Sequence, residues 1–198
     1  MLSERLNNIF EKYHGNLPVK IAIEEGIDKE TLRKAYLRGD IIKAYPGGYT
    51  LPDAFVDDYF LIQSILTKGI ISHESAAMFY AYGNFSPFYC HMTFPRGYHN
   101  PNLAKYKVRE TFVNKDHYQL GMSEVNTWFG NKIVCYDKER TVLDMLSSRH
   151  STAEVIKNVW KDYLDDEEKN LERLLEYAEQ MGRMKYIEAI RGGEFIFA

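Results

Sequence analysis

The sequence predicts an α+β chain in two parts, a small helix-rich domain over residues 1–52 and a mixed α/β domain over 53–198 that ends in helices. Three observations predict it. Within the first 52 positions, helical spacing of apolar residues gives way to a glycine-punctuated hairpin. Residues 85–136 carry β-branched and aromatic runs between turn residues, and the last third returns to helical spacing.

The first helix is expected over Leu2–Tyr13, where Leu2, Leu6, Ile9, Phe10 and Tyr13 share a face, Ser3 is placed to cap it and Gly15 to stop it. Pro18 opens a second helix that Gly26 ends, since proline is tolerated at a first helical position. Asp28 caps a third, Lys29–Arg38, with Leu32, Ala35, Tyr36 and Leu37 inward and Lys29, Arg33 and Lys34 outward. Ile41–Tyr45 and Tyr49–Leu51 read as strands joined by Pro46-Gly47-Gly48, where proline presets one turn residue and glycine permits a positive φ. Two short helices, a Gly-containing turn and a hairpin make a winged helix-turn-helix. Pro52 and Asp53 mark the boundary.

Helices are then expected over Phe55–Thr67 and His73–Tyr82, the second capped by Ser72. Strands are expected over Phe88–Phe94, Tyr106–Val113 and Lys132–Tyr136. Three helices close the chain, Arg140–Ser147, Thr152–Tyr163 and a long one over Glu167–Ile190.

Composition narrows the function classes. With 45% apolar and 27% charged residues, no apolar run long enough for a membrane span and no signal-peptide layout, the expectation is a soluble cytoplasmic protein without a membrane partner. Cys90 and Cys135 stand 45 positions apart, so neither a disulfide framework nor a CxxC element is available, and buried thiols are expected. The net charge of −3 is unevenly spread: residues 1–52 carry eight Lys/Arg against seven Asp/Glu. Within 29–43, Lys29, Arg33, Lys34, Arg38 and Lys43 face only Glu30 and Asp40, which is a local footprint for phosphate.

In a winged helix the third helix enters the major groove, so Lys29, Thr31, Arg33 and Lys34 are the candidate reading face. Arg33 is the candidate base reader because its planar fork matches both acceptors of guanine. Lys20, Arg38 and Lys43 are assigned to the backbone, and Tyr45 and Tyr49 to the wing. A second phosphate-binding face is drawn from Lys105, Lys107, Arg109, Lys115 and Lys132, although scattered lysines are also ordinary surface.

No active site stands out in residues 53–198, so no enzyme, metal or cofactor is expected. His73-Glu74 lacks the second histidine of HExxH; Cys90, His91 and His99 lack a zinc spacing; there is no Gly-rich phosphate loop. Asp137, Glu139 and Asp144 with Lys132 or Lys138 have the residue types of a metal-dependent nuclease, but a strand followed by a capped helix explains them as well. From the residues alone, Asp137 caps that helix, and Arg140 and Asp144 stand at pair spacing.

The hairpin-bearing first domain, followed in order by Gly69-Ile70-Ile71-Ser72-His73-Glu74-Ser75-Ala76-Ala77, Met92-Thr93-Phe94-Pro95 and Tyr136-Asp137-Lys138-Glu139-Arg140-Thr141-Val142-Leu143-Asp144, resembles the AbiEi-family antitoxins. The departure is at Ala77-Met78, where the family has an Ala-Leu step. The resemblance implies a bifunctional protein of a phage-defence operon. Its first domain would bind inverted repeats in the operon's own promoter, a monomer in solution that binds cooperatively. Its second would neutralise a nucleotidyltransferase-like toxin in a type IV arrangement, without a stable complex. Ser72, Glu139, Arg140, Thr141 and Asp144 are the motif residues, and their expected role is structural. Two other readings stand beside this one, a winged-helix regulator with a ligand-sensing or assembly domain and a DNA-targeted nuclease.

Overall fold

The computed structural model describes residues 2–101 and 103–193. Its contacts divide the chain into two compact units, residues 1–68 with 126–133, and residues 69–125 with 134–198. The chain is α+β, with helices and two separate sheets.

In the first unit α1, Glu4–Lys12, buries Leu6, Ile9 and Phe10, and Ser3 caps it at Leu6. Gly15 follows at φ +80°, in a conformation that side chains avoid, where a Cβ would stand 2.4 Å from that of Ala54. The next residues, Asn16–Pro18, form a short strand, β1, that hydropathy does not announce. Helix α2, Val19–Glu24, and helix α3, Lys29–Leu37, come next; Asp28 caps α3 by accepting from Thr31 N at 2.7 Å. Strands β2, Ile42–Tyr45, and β3, Gly48–Thr50, pair antiparallel, and β1 pairs with the other side of β3. Leu6, Phe10, Leu17, Leu32 and Ile41 form the core beneath.

The division falls after Lys68 rather than after residue 52, because α4, Asp58–Ile65, packs on β1, β3 and α2. The expected start of that helix at Phe55 is early by three residues, since Asp57 is its cap. Buried Asp57 also accepts from Thr127 Oγ1 at 2.6 Å and Asn131 Nδ2 at 2.9 Å, while its own N–H donates to Asn16 Oδ1 at 2.9 Å. That carboxylate fastens residues 126–133 into the first unit; Phe129 stacks on Phe55 there and Trp128 lies against Tyr59.

In the second unit a five-stranded sheet runs β6-β5-β4-β8-β7. The strands are β4 Ile70–Ile71, β5 Cys90–Pro95, β6 Val108–Val113, β7 Met122–Asn126 and β8 Lys132–Tyr136. Two residues long, β4 is central, antiparallel to β5 and parallel to β8, and β5 runs parallel to β6. The helices are α5 His73–Phe79, α6 Lys115–Gln119, α7 Lys138–Leu146, α8 Ala153–Asp165, α9 Leu171–Gln180 and α10 Met184–Arg191. Val142, Leu143, Val159, Tyr163, Leu174 and Ala178 lie in the helical core.

The single helix expected over Glu167–Ile190 is two helices. Gly182, at φ +64°, ends α9 in a Schellman arrangement, with Arg183 N donating to Ala178 O and Gly182 N to Glu179 O. The apolar stripe continues in register across this break, which hides it from periodicity. Both cysteines are buried thiols, and among the described residues no helix is long and apolar enough to cross a membrane.

Removing the Asp57 carboxylate strands two buried donors and uncaps α4, so Asp57→Ala is expected to lower the unfolding free energy by about 3 kcal/mol in urea titrations. Asp58→Ala, which removes an exposed hydrogen bond, is expected to cost less than about 1 kcal/mol.

Candidate nucleic-acid interface

Three of the predicted cations and one tyrosine converge in the first unit. Lys29 and Arg33 of α3, Lys43 of β2 and Tyr49 of β3 line one open groove of about 390 Å³, with Val19, Leu32, Tyr36 and Leu37. The convergence has a simple cause: Lys29, Arg33 and Leu37 recur every four residues along one line of α3, and the hairpin brings Lys43 and Tyr49, directly paired across strands, up to it. Lys29 and Lys43 are exposed and have no ion-pair partner among the described residues. Arg33 lies 3.2 Å from Glu30, but both ends of that pair are more than half exposed, so phosphate or a base edge competes for the guanidinium at little cost.

The other candidates are placed differently. Thr31 gives its hydroxyl to Asp28 at 3.0 Å and belongs to the helix cap, not to an open reading surface. Lys34 and Arg38 follow the next line round α3 with Glu30, and Arg38 is paired to Asp40 at 2.8 Å. Lys20 sits on α2, 4.0 Å from Glu24. Tyr45 turns its hydroxyl to Asp58 at 2.6 Å, and the turn beyond it is held at Gly47, whose carbonyl accepts from Val19 N. The hairpin tip is therefore packed, and of the two hairpin tyrosines Tyr49 lines the groove. Tyr36, tilted against Tyr49 with ring centres 6.1 Å apart, and Leu37, 65% exposed, line the groove instead of packing inward as their apolar character suggests, because the core beneath α3 is filled by Leu32 and Ala35. Leu37 lies on the Lys29–Arg33 line, which is the signal that would have found it.

In the second unit Lys107 and Arg109 form a pair, lying over the rings of Phe88 and Tyr89 at 5.5 and 4.5 Å. Lys105 is exposed just before them, Lys115 opens α6, and Lys132 falls in the segment counted with the first unit.

The motif residues build a buried polar network. Arg140 has no solvent exposure; its Nε donates to both oxygens of Asp144 at 3.1 Å, and its Nη1 to the carbonyls of His117 and Leu120 at 2.5 and 2.9 Å. Its Nη2 has no partner, and the guanidinium lies 4.2 Å from the Tyr136 ring centre. Arg183 Nη1 reaches Asp144 at 2.6 Å. Glu139 accepts from Asn170 N at 2.9 Å, at the start of α9, and Thr141 bonds Tyr136 O at 3.2 Å. Thr93 donates to Ser72 Oγ, which lies 3.0 Å from His73 Nδ1. The acidic set is thus engaged by cations and backbone, and among the described residues no group of three or more metal-ligating side chains comes together.

Burial lowers the His73 pKa and takes that of His91 to about 3, so both rings are neutral near pH 7 and the 3.8 Å approach of His91 to Glu74 is not an ion pair. Burial pushes Asp144 up, but the Arg140 and Arg183 guanidiniums outweigh it and hold it at about 2. In all three the unfolded chain takes up its proton at higher pH than the folded one, so acid destabilises the fold. Loss is expected to begin near about pH 6.5 through the histidines and to continue between about pH 4 and pH 2 through Asp144. His91→Phe is expected to flatten the dependence of unfolding free energy on pH between about 6.5 and 4 by up to one proton's slope, about 1.4 kcal/mol per pH unit.

No family model and no curated protein matches this chain. Among solved structures it is similar to a crystal structure of the RV2827C protein from Mycobacterium tuberculosis, at 12% identity and a TM-score of 0.59, over 90% of this chain and 72% of that one. At that identity the likeness is one of fold.

Proposed function

We propose that the chain is a DNA-binding repressor whose first unit is a winged helix-turn-helix, with α2 and α3 as the helix-turn-helix and β2–β3 as a short wing. The observation that carries this reading is the groove in which Lys29, Arg33, Lys43 and Tyr49 meet along the exposed side of α3. A positive helix face flanked by a hairpin suits a major groove, with Arg33 toward base edges and Lys43 toward phosphate. The AbiEi resemblance extends the reading: the protein represses its own operon at inverted repeats and opposes a nucleotidyltransferase-like toxin by binding, without turnover and without a stable complex. In that scheme the buried Arg140–Asp144 motif holds the second unit in shape rather than touching the toxin.

The reading is tested on point variants of the whole chain, because cutting after residue 52 or 68 separates Asp57 or its partners Thr127 and Asn131 from the rest of the first unit. In anisotropy titrations on promoter DNA, Arg33→Ala is expected to lose about 1–3 kcal/mol and to relax preference at one base pair. Lys43→Ala is expected to weaken all sequences alike and to flatten the plot of log affinity against log salt by about one unit. Binding that ignores salt between about 50 and 200 mM would rule out this interface. Co-expression with the neighbouring toxin gene separates an antitoxin, which restores growth, from a simple regulator, which does not.

A further inference from the structure

A second cavity, of about 400 Å³, lies wholly within the second unit, among the start of α5, strand β6, the loop after α7 and the first turn of α10. Its size is that of a small-molecule site. Arg149, Arg183, His150 and His73 contribute to its wall, and one carboxylate, Glu110, stands among them. Arg149 is exposed and has no ion-pair partner among the described residues, whereas Arg183 is held in place by its 2.6 Å bond to buried Asp144. One cation is thus free to move and the other is fixed.

His73 adds an imidazole. Ser72 Oγ, which accepts from Thr93, lies 3.0 Å from His73 Nδ1, so that nitrogen is engaged within the protein. Nε2 has no protein partner among the described residues, and His73 is held at φ +49°, a conformation uncommon for a residue with a Cβ. Phe112 and Tyr186 supply aromatic wall.

Two guanidiniums and a neutral imidazole beside aromatic rings form a receptor for phosphate joined to a flat group. We infer that this cavity binds a phosphorylated ligand of mononucleotide size, with Arg149 and Arg183 on the phosphoryl group and Phe112 and Tyr186 beside the base. The site is separate from the α3 groove and is assayed without DNA.

The test uses the whole protein with inorganic phosphate, adenosine 5′-monophosphate and adenosine, followed by calorimetry and by the imidazole NMR resonances of His73 and His150. The expected result is that the monophosphate binds more tightly than phosphate, and that adenosine does not bind. Arg149→Ala is expected to weaken the monophosphate at least about tenfold, and Glu110→Gln, which removes the opposing charge, to strengthen it about two- to fivefold. Both positions are exposed, so these variants keep the fold, unlike Arg183→Ala, which strips a partner from buried Asp144. Failure of phosphate and monophosphate to shift either histidine at about 10 mM overturns the inference, as does binding that Arg149→Ala leaves unchanged.

Discussion

A guanidinium buried without solvent contact is costly unless acceptors surround it, and Arg140 of α7 is the point about which the second unit is arranged. Its Nη1 fixes the end of α6 through His117 O and Leu120 O; its Nε fixes Asp144 one helical turn away; and Asp144 in turn holds Arg183 at the head of α10. Gly121 is part of the same constraint, for a Cβ there would stand 2.6 Å from that of Arg140. With Glu139 on the backbone of Asn170, one short helix sets the positions of α6, α9 and α10. Breaking such a set from one side leaves an uncompensated charge, at about 3–5 kcal/mol, so these residue types are held by one another more than by any ligand.

What was legible in the sequence was whatever local chemistry decides. Ser3, Asp28 and Asp137 cap the helices they precede, and the i, i+4 spacing of Arg140 and Asp144 becomes a bond, whereas Ser72 precedes α5 without a side-chain cap because its hydroxyl is engaged by Thr93 and His73. Elements decided by distant partners were hidden. β1 and β4 are strands because β3, β5 and β8 lie beside them, and three or two residues hold no periodicity to read. The division between the units was misplaced for the same reason: Pro52-Asp53 looks like a linker, yet the residues just beyond it pack back on β1 and β3.

The same distinction sorts the candidate sites. Residues on one line of α3 share a groove as their spacing predicts, whereas the hydroxyls of Thr31 and Tyr45 are engaged by Asp28 and Asp58, which spacing does not reveal. The cavity of the second unit was missed because its wall comes from four places far apart in the chain, and the stretch Ser147-Ser148-Arg149-His150 reads as an ordinary interhelical turn. Its basic pair following two serines was the only local sign.

The assignment of residues 126–133 to the first unit bears on how the protein is made. The ribosome delivers Asp57 long before Thr127 and Asn131, its two side-chain donors, so the N-terminal part emerges with a buried acceptor still unmatched and the Phe55 ring uncovered. It completes its fold only after most of the second sheet has left the exit tunnel. Synthesis therefore couples the two units in time, and the α3 groove matures on a molecule whose second half is already largely translated.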